Sequence, residues 1–118
     1  MEKIRLGEDS LLELKAIYFK GQGSHVDLSR DEIASELAAL ANTRGGVVVF
    51  GVDDRTREPL GIPVDKLDLV EAFVRDICND SIRPPLQIAI IRLELPDTTG
   101  IARPVIRLDI PQSLFVHQ

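Results

Sequence analysis

The residues of this chain that could act on a phosphate chain are charged residues near the predicted ends of strands and helices. Lysine and arginine side chains bind phosphate oxygens without regard to base sequence. The basic candidates lie near the first predicted strand, at the end of the first helix, or in the loop after the central strand: Lys15, Lys20, Arg44, Arg55 and Arg57.

Acidic residues accompany these cations. In residues 12–15 apolar and charged side chains alternate, which is typical of a strand with one polar face. We therefore expect Glu13 and Lys15 to point the same way. Asp53 and Asp54 come directly after the next predicted strand, so they are expected in a loop at its carboxyl end.

The overall charge restricts how such a surface could work. The 118 residues include 14 Lys and Arg against 19 Asp and Glu, which gives a net charge of -5. A purely electrostatic nucleic-acid binder is normally basic, so binding here requires basic residues gathered on one face, or a metal ion that supplies positive charge.

Composition narrows the class of protein. The single cysteine excludes an internal disulfide and fits a reducing compartment. No apolar run approaches the roughly 18 residues that a membrane-spanning helix needs. These features predict a cytoplasmic domain with no membrane partner.

The elements that must position the charged residues centre on one apolar run. Residues 47–50 (VVVF) carry no polar side chain, which predicts a strand covered on both faces of a sheet. Ser29 and Glu32 have the spacing of a capping box and predict the start of the first helix. A second helix, capped by Asp65 or a neighbour, must end before Pro84.

The order of the predicted elements indicates the fold. Residues 86–95 and 104–110 read as the two strands of an antiparallel hairpin, and residues 1–10 as a surface segment. The order strand, helix, strand, helix, strand, strand predicts an α+β domain of two layers. We expect two helices on one face of a mixed four-stranded sheet, in a single domain of residues 1–118.

Five short motifs follow the order found in a known family. Residues 8–15 (EDSLLELK) are similar to an opening Glu-Ser-x-x-x-Glu-Phe-Lys pattern, and residues 110–113 (IPQS) to a closing Val-Pro-x-Ser. Between them stand residues 41–46 (ANTRGG), 50–54 (FGVDD) and 61–62 (GI). Together these motifs resemble the Schlafen-type, AlbA-like DNA-binding domain family, with leucine at position 14 where the pattern has an aromatic residue.

The resemblance implies two different activities. Bacterial members resemble transcriptional regulators that carry this domain at the N-terminus, which implies DNA binding without a cofactor. Related animal proteins cleave tRNA and rRNA with three carboxylates, which correspond here to Glu8, Glu13 and Asp54, with Asp53 as a weaker third member. In that metal-dependent nuclease the carboxylates would hold Mg²⁺ or Mn²⁺, and Lys15 would support them near the phosphate.

A third interpretation is a homodimerisation module without nucleic-acid binding. The free edge of the predicted hairpin and the apolar residues 114–116 could pair with a second copy. The apolar stretch up to Gln118 carries no terminating signal. We therefore expect an N-terminal fragment of a longer regulator with further C-terminal domains, and DNA or RNA as its partner.

Overall fold

A computed structural model of the protein describes residues 4–6, 10–17, 28–82 and 86–112. The described residues form five strands and two α-helices. In chain order they are β1 (Ile4–Leu6), β2 (Ser10–Lys15), α1 (Arg30–Asn42), β3 (Gly46–Phe50), α2 (Leu67–Asp76), β4 (Ala89–Pro96) and β5 (Ala102–Ile110).

The strands form one mixed sheet in the order β1-β2-β3-β5-β4. Strands β2 and β3 are parallel, and the other neighbours are antiparallel. The two-layer α+β fold and the four predicted strands are confirmed. The prediction that residues 1–10 only follow the surface is wrong, because β1 adds a fifth strand at the β2 edge. Three residues are too few for a periodic pattern, and backbone hydrogen bonds alone define such a strand.

The central strand β3 separates two apolar clusters. All five of its residues are buried, as the sequence predicts. Val48 and Phe50 face the larger cluster, which contains the buried residues of both helices. Val47 and Val49 face a smaller cluster on the opposite side with Leu14 of β2. Both helices therefore cover the same face of the sheet.

Local signals fix the ends of α1. The Ser29 hydroxyl accepts a hydrogen bond from the Glu32 backbone N–H at 3.3 Å, which confirms the predicted N-cap. At the other end Gly45 has a φ of +75° and donates its N–H to the Leu40 carbonyl at 2.7 Å. A left-handed glycine at this place ends the helix and directs the chain into β3.

The second helix begins differently from its prediction. A short 3-10 turn, Val64–Lys66, precedes α2, and a π-helical turn, Ile77–Ser81, follows it. Asp65 lies within the 3-10 turn, and Lys66, the N-cap of α2, makes no side-chain capping bond. The 3-10 turn itself leads the chain into the helix, so α2 needs no acidic cap.

Candidate nucleic-acid interface

The parallel pairing of β2 and β3 places their carboxyl ends at one edge of the sheet. The Lys15 carbonyl accepts hydrogen bonds from the N–H groups of Gly51 at 2.7 Å and Val52 at 3.4 Å. We call this edge, formed by Lys15 and residues 51–57, the β2–β3 rim. The structure thus brings Lys15 and the loop after the central strand together.

Glu13 and Lys15 share one side of β2. In the parallel ladder Glu13 lies beside Val48 and Lys15 beside Phe50, and both apolar partners face the helices. The prediction that the two charged side chains point the same way is confirmed. Their face, however, is turned toward the helical layer: Glu13 is only 6% exposed.

Lys15 reaches the first helix. Its Nζ atom lies 2.6 Å from Oε1 of Glu36, and both side chains are partly buried. Glu36 is not among the residues that the sequence predicts for the site. Its partner is 21 positions away in the chain, so no local spacing could have paired them. The contact appears only when α1 packs on β2.

The loop after β3 is organised by an aspartate. The Asp53 carboxylate accepts hydrogen bonds from the N–H groups of Arg55 at 2.8 Å and Thr56 at 3.0 Å. Asp53 also donates its own N–H to the Glu58 carbonyl at 2.9 Å. We call residues 53–58 the first turn. The backbone N–H groups of Thr56 and Arg55 lower the pKa of the Asp53 carboxyl. The ionised carboxylate therefore stabilises the turn.

The first turn presents charged side chains outward. Asp54, Arg55 and Arg57 are all exposed. Arg57 has a φ of +64°, which is uncommon for a residue with a side chain. Within the described residues the Arg55 guanidinium forms no hydrogen bond or ion pair, although its backbone N–H is held by Asp53. The Arg55 guanidinium is therefore exposed to solvent, while the backbone of the same residue is held by a hydrogen bond.

Arg44 lies at the opposite end of the central strand. It precedes Gly46, the first residue of β3, whereas Arg55 and Arg57 follow Phe50, the last. A strand of this length spans about 13 Å. The five basic candidates do not form one cluster, because β3 separates Arg44 from the rim. Lys20 lies outside the described residues.

The proposed carboxylate set cannot be assembled from the described residues. They contain no group of three or more His, Cys, Asp or Glu side chains placed to hold a metal ion. Glu8 lies outside the described residues. A site of the kind that the resemblance implies would need Glu8 in addition to Glu13 and Asp54.

A second turn lies beside the first. In residues 97–101, here called the second turn, the Asp97 carboxylate accepts from the N–H groups of Thr99 at 2.9 Å and Ile101 at 3.0 Å. The Glu58 carboxylate of the first turn accepts from the N–H of Thr98 at 3.0 Å and from its hydroxyl at 3.1 Å. These bonds join the first turn to the β4–β5 hairpin.

The described part of the chain has no helix long and apolar enough to cross a membrane. The fold is similar to that of a solved protein, the DIP2311 protein from Corynebacterium diphtheriae, with a TM-score of 0.57 and 18% sequence identity. The match covers 90% of this chain and 18% of that chain. The likeness concerns the fold, and this chain corresponds to less than a fifth of that protein.

Comparison of the sequence with family profiles identifies the family of the chain. The profile of the family described as Schlafen, AlbA_2 matches residues 8–117, nearly the whole chain. The match includes the rim, both turns and all but the first of the five strands. The chain therefore belongs to the Schlafen, AlbA_2 family, whose membership indicates a nucleic-acid-related domain.

Proposed function

We propose that this chain is the DNA-binding domain of a longer transcriptional regulator, and that the β2–β3 rim contacts the phosphate backbone. The observation that carries the proposal is the display of Arg55. Asp53 fixes the backbone of the first turn, and the Arg55 guanidinium stays exposed, with a coulombic interaction with Asp53 but no hydrogen bond or ion pair to a described residue. An arginine held in this way loses less entropy when it binds a phosphate.

The acidic residues around the rim support this assignment, because most of them are already engaged. The Glu36 carboxylate is paired with Lys15, and the Glu58 carboxylate accepts from Thr98. Asp53 accepts from two backbone N–H groups of its own turn. These contacts reduce the repulsion that a chain of net charge -5 would otherwise offer to a phosphate.

The test measures binding of the chain to labelled DNA duplexes of unrelated sequence. Fluorescence anisotropy gives the affinity between about 50 and 300 mM salt. We expect affinity to fall as salt rises, because phosphate contacts release bound cations. Arg55→Ala should weaken binding about fivefold. Arg75→Ala is the matched control: it removes an exposed arginine from α2 and gives the same net charge.

The outcomes separate clearly. Equal losses in the two variants would mean that only net charge matters, and the rim assignment would be wrong. No binding to DNA or RNA even at low salt would reject the proposal altogether.

One observation favours a second candidate, the metal-dependent ribonuclease. Glu13 is a buried carboxylate on the same strand face as Lys15, and buried carboxylates beside cations are common at catalytic sites. The Schlafen resemblance gives Glu8, Glu13 and Asp54 the role of metal ligands. Mg²⁺ or Mn²⁺ would supply the positive charge that polarises a phosphate.

Asp54→Asn distinguishes the two candidates because they predict opposite effects. If the rim only binds phosphate, removal of an exposed carboxylate should tighten binding about two- to threefold. If the chain is a nuclease, the same change should abolish Mg²⁺- or Mn²⁺-dependent cleavage of structured RNA, as should Glu13→Gln. Cleavage by the unaltered chain that both variants lose would replace the first candidate with the second.

A further inference from the structure

The outer strand β4 has one side whose backbone groups have no partner among the described residues. Within the described part of the sheet β4 pairs with β5 alone. The Asp97 N–H donates to the Ile101 carbonyl at 2.9 Å, which makes these two residues a hydrogen-bonded pair of the hairpin. Such pairs alternate along an antiparallel ladder. The odd-numbered residues of β4 therefore bond to β5, and the even-numbered ones direct N–H and C=O groups outward.

Some side chains of β4 are also exposed to solvent. Ile91 is 41% exposed. Glu94 is exposed and forms no hydrogen bond or ion pair with a described residue. Arg92, two positions before it on the same face, pairs with Asp68 and Glu71 of α2. The edge thus combines outward backbone groups, an exposed isoleucine and a carboxylate that no described residue binds.

We propose that β4 pairs antiparallel with β4 of a second copy, around a two-fold axis at Leu93, so that the two sheets become one. In this register Arg92 lies opposite Glu94 of the second copy, and Ile91 lies opposite Leu95. The opposite charges then meet on the helical face, and the apolar side chains meet on the other face.

The charge pattern selects this register over its neighbours. An axis at Arg92 would place the two arginines opposite each other, and an axis at Glu94 would place the two glutamates together. Like charges directly opposite destabilise a pair of strands. Of these three registers, the axis at Leu93 is the one that places no like charges directly opposite each other, and Glu94 of the second copy would join the Asp68 and Glu71 carboxylates around Arg92.

The backbone is compatible with this arrangement. Arg92 and Glu94 direct their N–H and C=O groups outward and would exchange hydrogen bonds with Glu94 and Arg92 of the second copy. Pro96 has no N–H to donate and would lie at the end of the ladder, opposite Ile90. Proline at the end of an edge strand costs least there.

A cysteine cross-link tests the register directly. Residues facing each other at a non-hydrogen-bonded position have Cα atoms about 4.5 Å apart, which a disulfide can bridge. Leu93→Cys should therefore form a covalent dimer under mild oxidation, seen on a non-reducing gel without nucleic acid. Ile91→Cys is the matched control, because the two introduced thiols would lie about 14 Å apart along the ladder. The native Cys78 is buried, and burial raises the pKa of its thiol to about 11, so it should stay unreactive.

Sedimentation of the reduced proteins between roughly 1 and 500 μM gives an independent measurement. The unaltered chain should dimerise, and Glu94→Arg should raise the dimer dissociation constant about tenfold or more, because the introduced guanidinium would face Arg92 of the second copy. Asp65→Arg, which reverses an exposed charge outside β4, should leave it unchanged. Circular dichroism would confirm that each variant is folded.

Three results would overturn the proposal. The chain could stay monomeric over the whole concentration range. It could form a dimer that Glu94→Arg leaves intact, which would place the contact elsewhere. Or Ile91→Cys could cross-link as fast as Leu93→Cys, which would exclude an axis at Leu93.

Discussion

The first and second turns use the same local device. Each begins with an aspartate whose carboxylate accepts the backbone N–H two residues later, at 2.8 Å from Arg55 and at 2.9 Å from Thr99. Such bonds let a chain reverse direction without a regular ladder. The two turns are also neighbours, because Glu58 of the first accepts two hydrogen bonds from Thr98 of the second.

The two turns differ in whether their aspartate forms a hydrogen bond with an arginine side chain. In the second turn Asp97 also accepts from Nε of Arg103 at 2.9 Å, so this cation of β5 helps to close the turn. In the first turn the Asp53 carboxylate accepts from the backbone N–H groups of Arg55 and Thr56, and the exposed Arg55 guanidinium makes no hydrogen bond with a described residue. The same device therefore stabilises the hairpin at one site and displays a cation at the other. The predictions below test this difference.

The largest difference between the turns should appear at their glycines. Gly51, which leads into the first turn, has a φ of +104°, and an added Cβ would lie 3.2 Å from side-chain atoms of Ile62 and Val105. Gly51→Ala should therefore lower the free energy of unfolding by about 3 kcal/mol, from strain and crowding together. Gly100 in the second turn has a φ of +87° but open space around it, so Gly100→Ala should cost about 1 kcal/mol. Urea unfolding of both variants measures the two losses, and equal losses would contradict the prediction.

For the aspartates, substitution in the second turn should cost more stability than substitution in the first. The Asp97 side chain is nearly buried and holds both backbone and side-chain donors, whereas Asp53 lies in an exposed turn and accepts from two N–H groups. We expect Asp97→Asn to lower the melting temperature by roughly 5 °C, and Asp53→Asn by less than half as much. Thermal unfolding at neutral pH gives the comparison, and a larger effect at Asp53 would show that the first turn is the structural one.

The same two carboxylates should affect acid stability. The hydroxyl of Thr99 and the guanidinium of Arg103 lower the pKa of Asp97, and the backbone N–H groups of Thr56 and Arg55 lower that of Asp53. A lowered pKa in the folded state stabilises the protein above the ordinary value of 3.8, and this contribution is lost as the pH falls toward the folded pKa. Between neutral pH and about pH 3 the unaltered chain should therefore lose more stability than Asp97→Asn.

Sequence alone could predict those features that depend on short-range patterns. The Ser29 cap, the buried central strand and the hairpin each follow from neighbours a few positions apart, and the structure confirms them. The three-residue strand β1 was missed because it has too few residues for a pattern. Likewise, the approach of Glu36 to Lys15 depends on how α1 packs against β2.

The candidate site was only partly predictable for the same reason. The pattern indicated that Glu13 and Lys15 share a face, and they do. It could not indicate which face the helices cover, so the burial of Glu13 was not expected. The place of Arg44 could be predicted, because Arg44 precedes the apolar run and Arg55 follows it, so the two residues must lie at opposite ends of β3.

The two arginines should separate binding from stability. Arg55→Ala should reduce affinity for duplex DNA about fivefold and lower the salt slope by about 1, with little change in melting temperature. Arg103→Ala should lower the melting temperature, because it removes a partner of Asp97, and leave the salt slope unchanged. Anisotropy titrations and thermal unfolding of both variants give the four numbers. If Arg103→Ala weakened binding as much as Arg55→Ala, the second turn would belong to the interface as well.

The smallest effect should be the coupling between the turns. A double-mutant cycle with Glu58→Ala and Thr98→Ala isolates the bond between the Glu58 carboxylate and the Thr98 hydroxyl, which measures 3.1 Å. Because this contact is exposed, we expect a coupling free energy of about 0.5 kcal/mol. Thr98→Ala keeps the backbone N–H of residue 98. The bond from this N–H to Glu58 therefore does not enter the coupling. A coupling of zero would mean that the hydroxyl bond contributes nothing and that, of the two bonds, only the one from the Thr98 N–H to Glu58 holds the turns together.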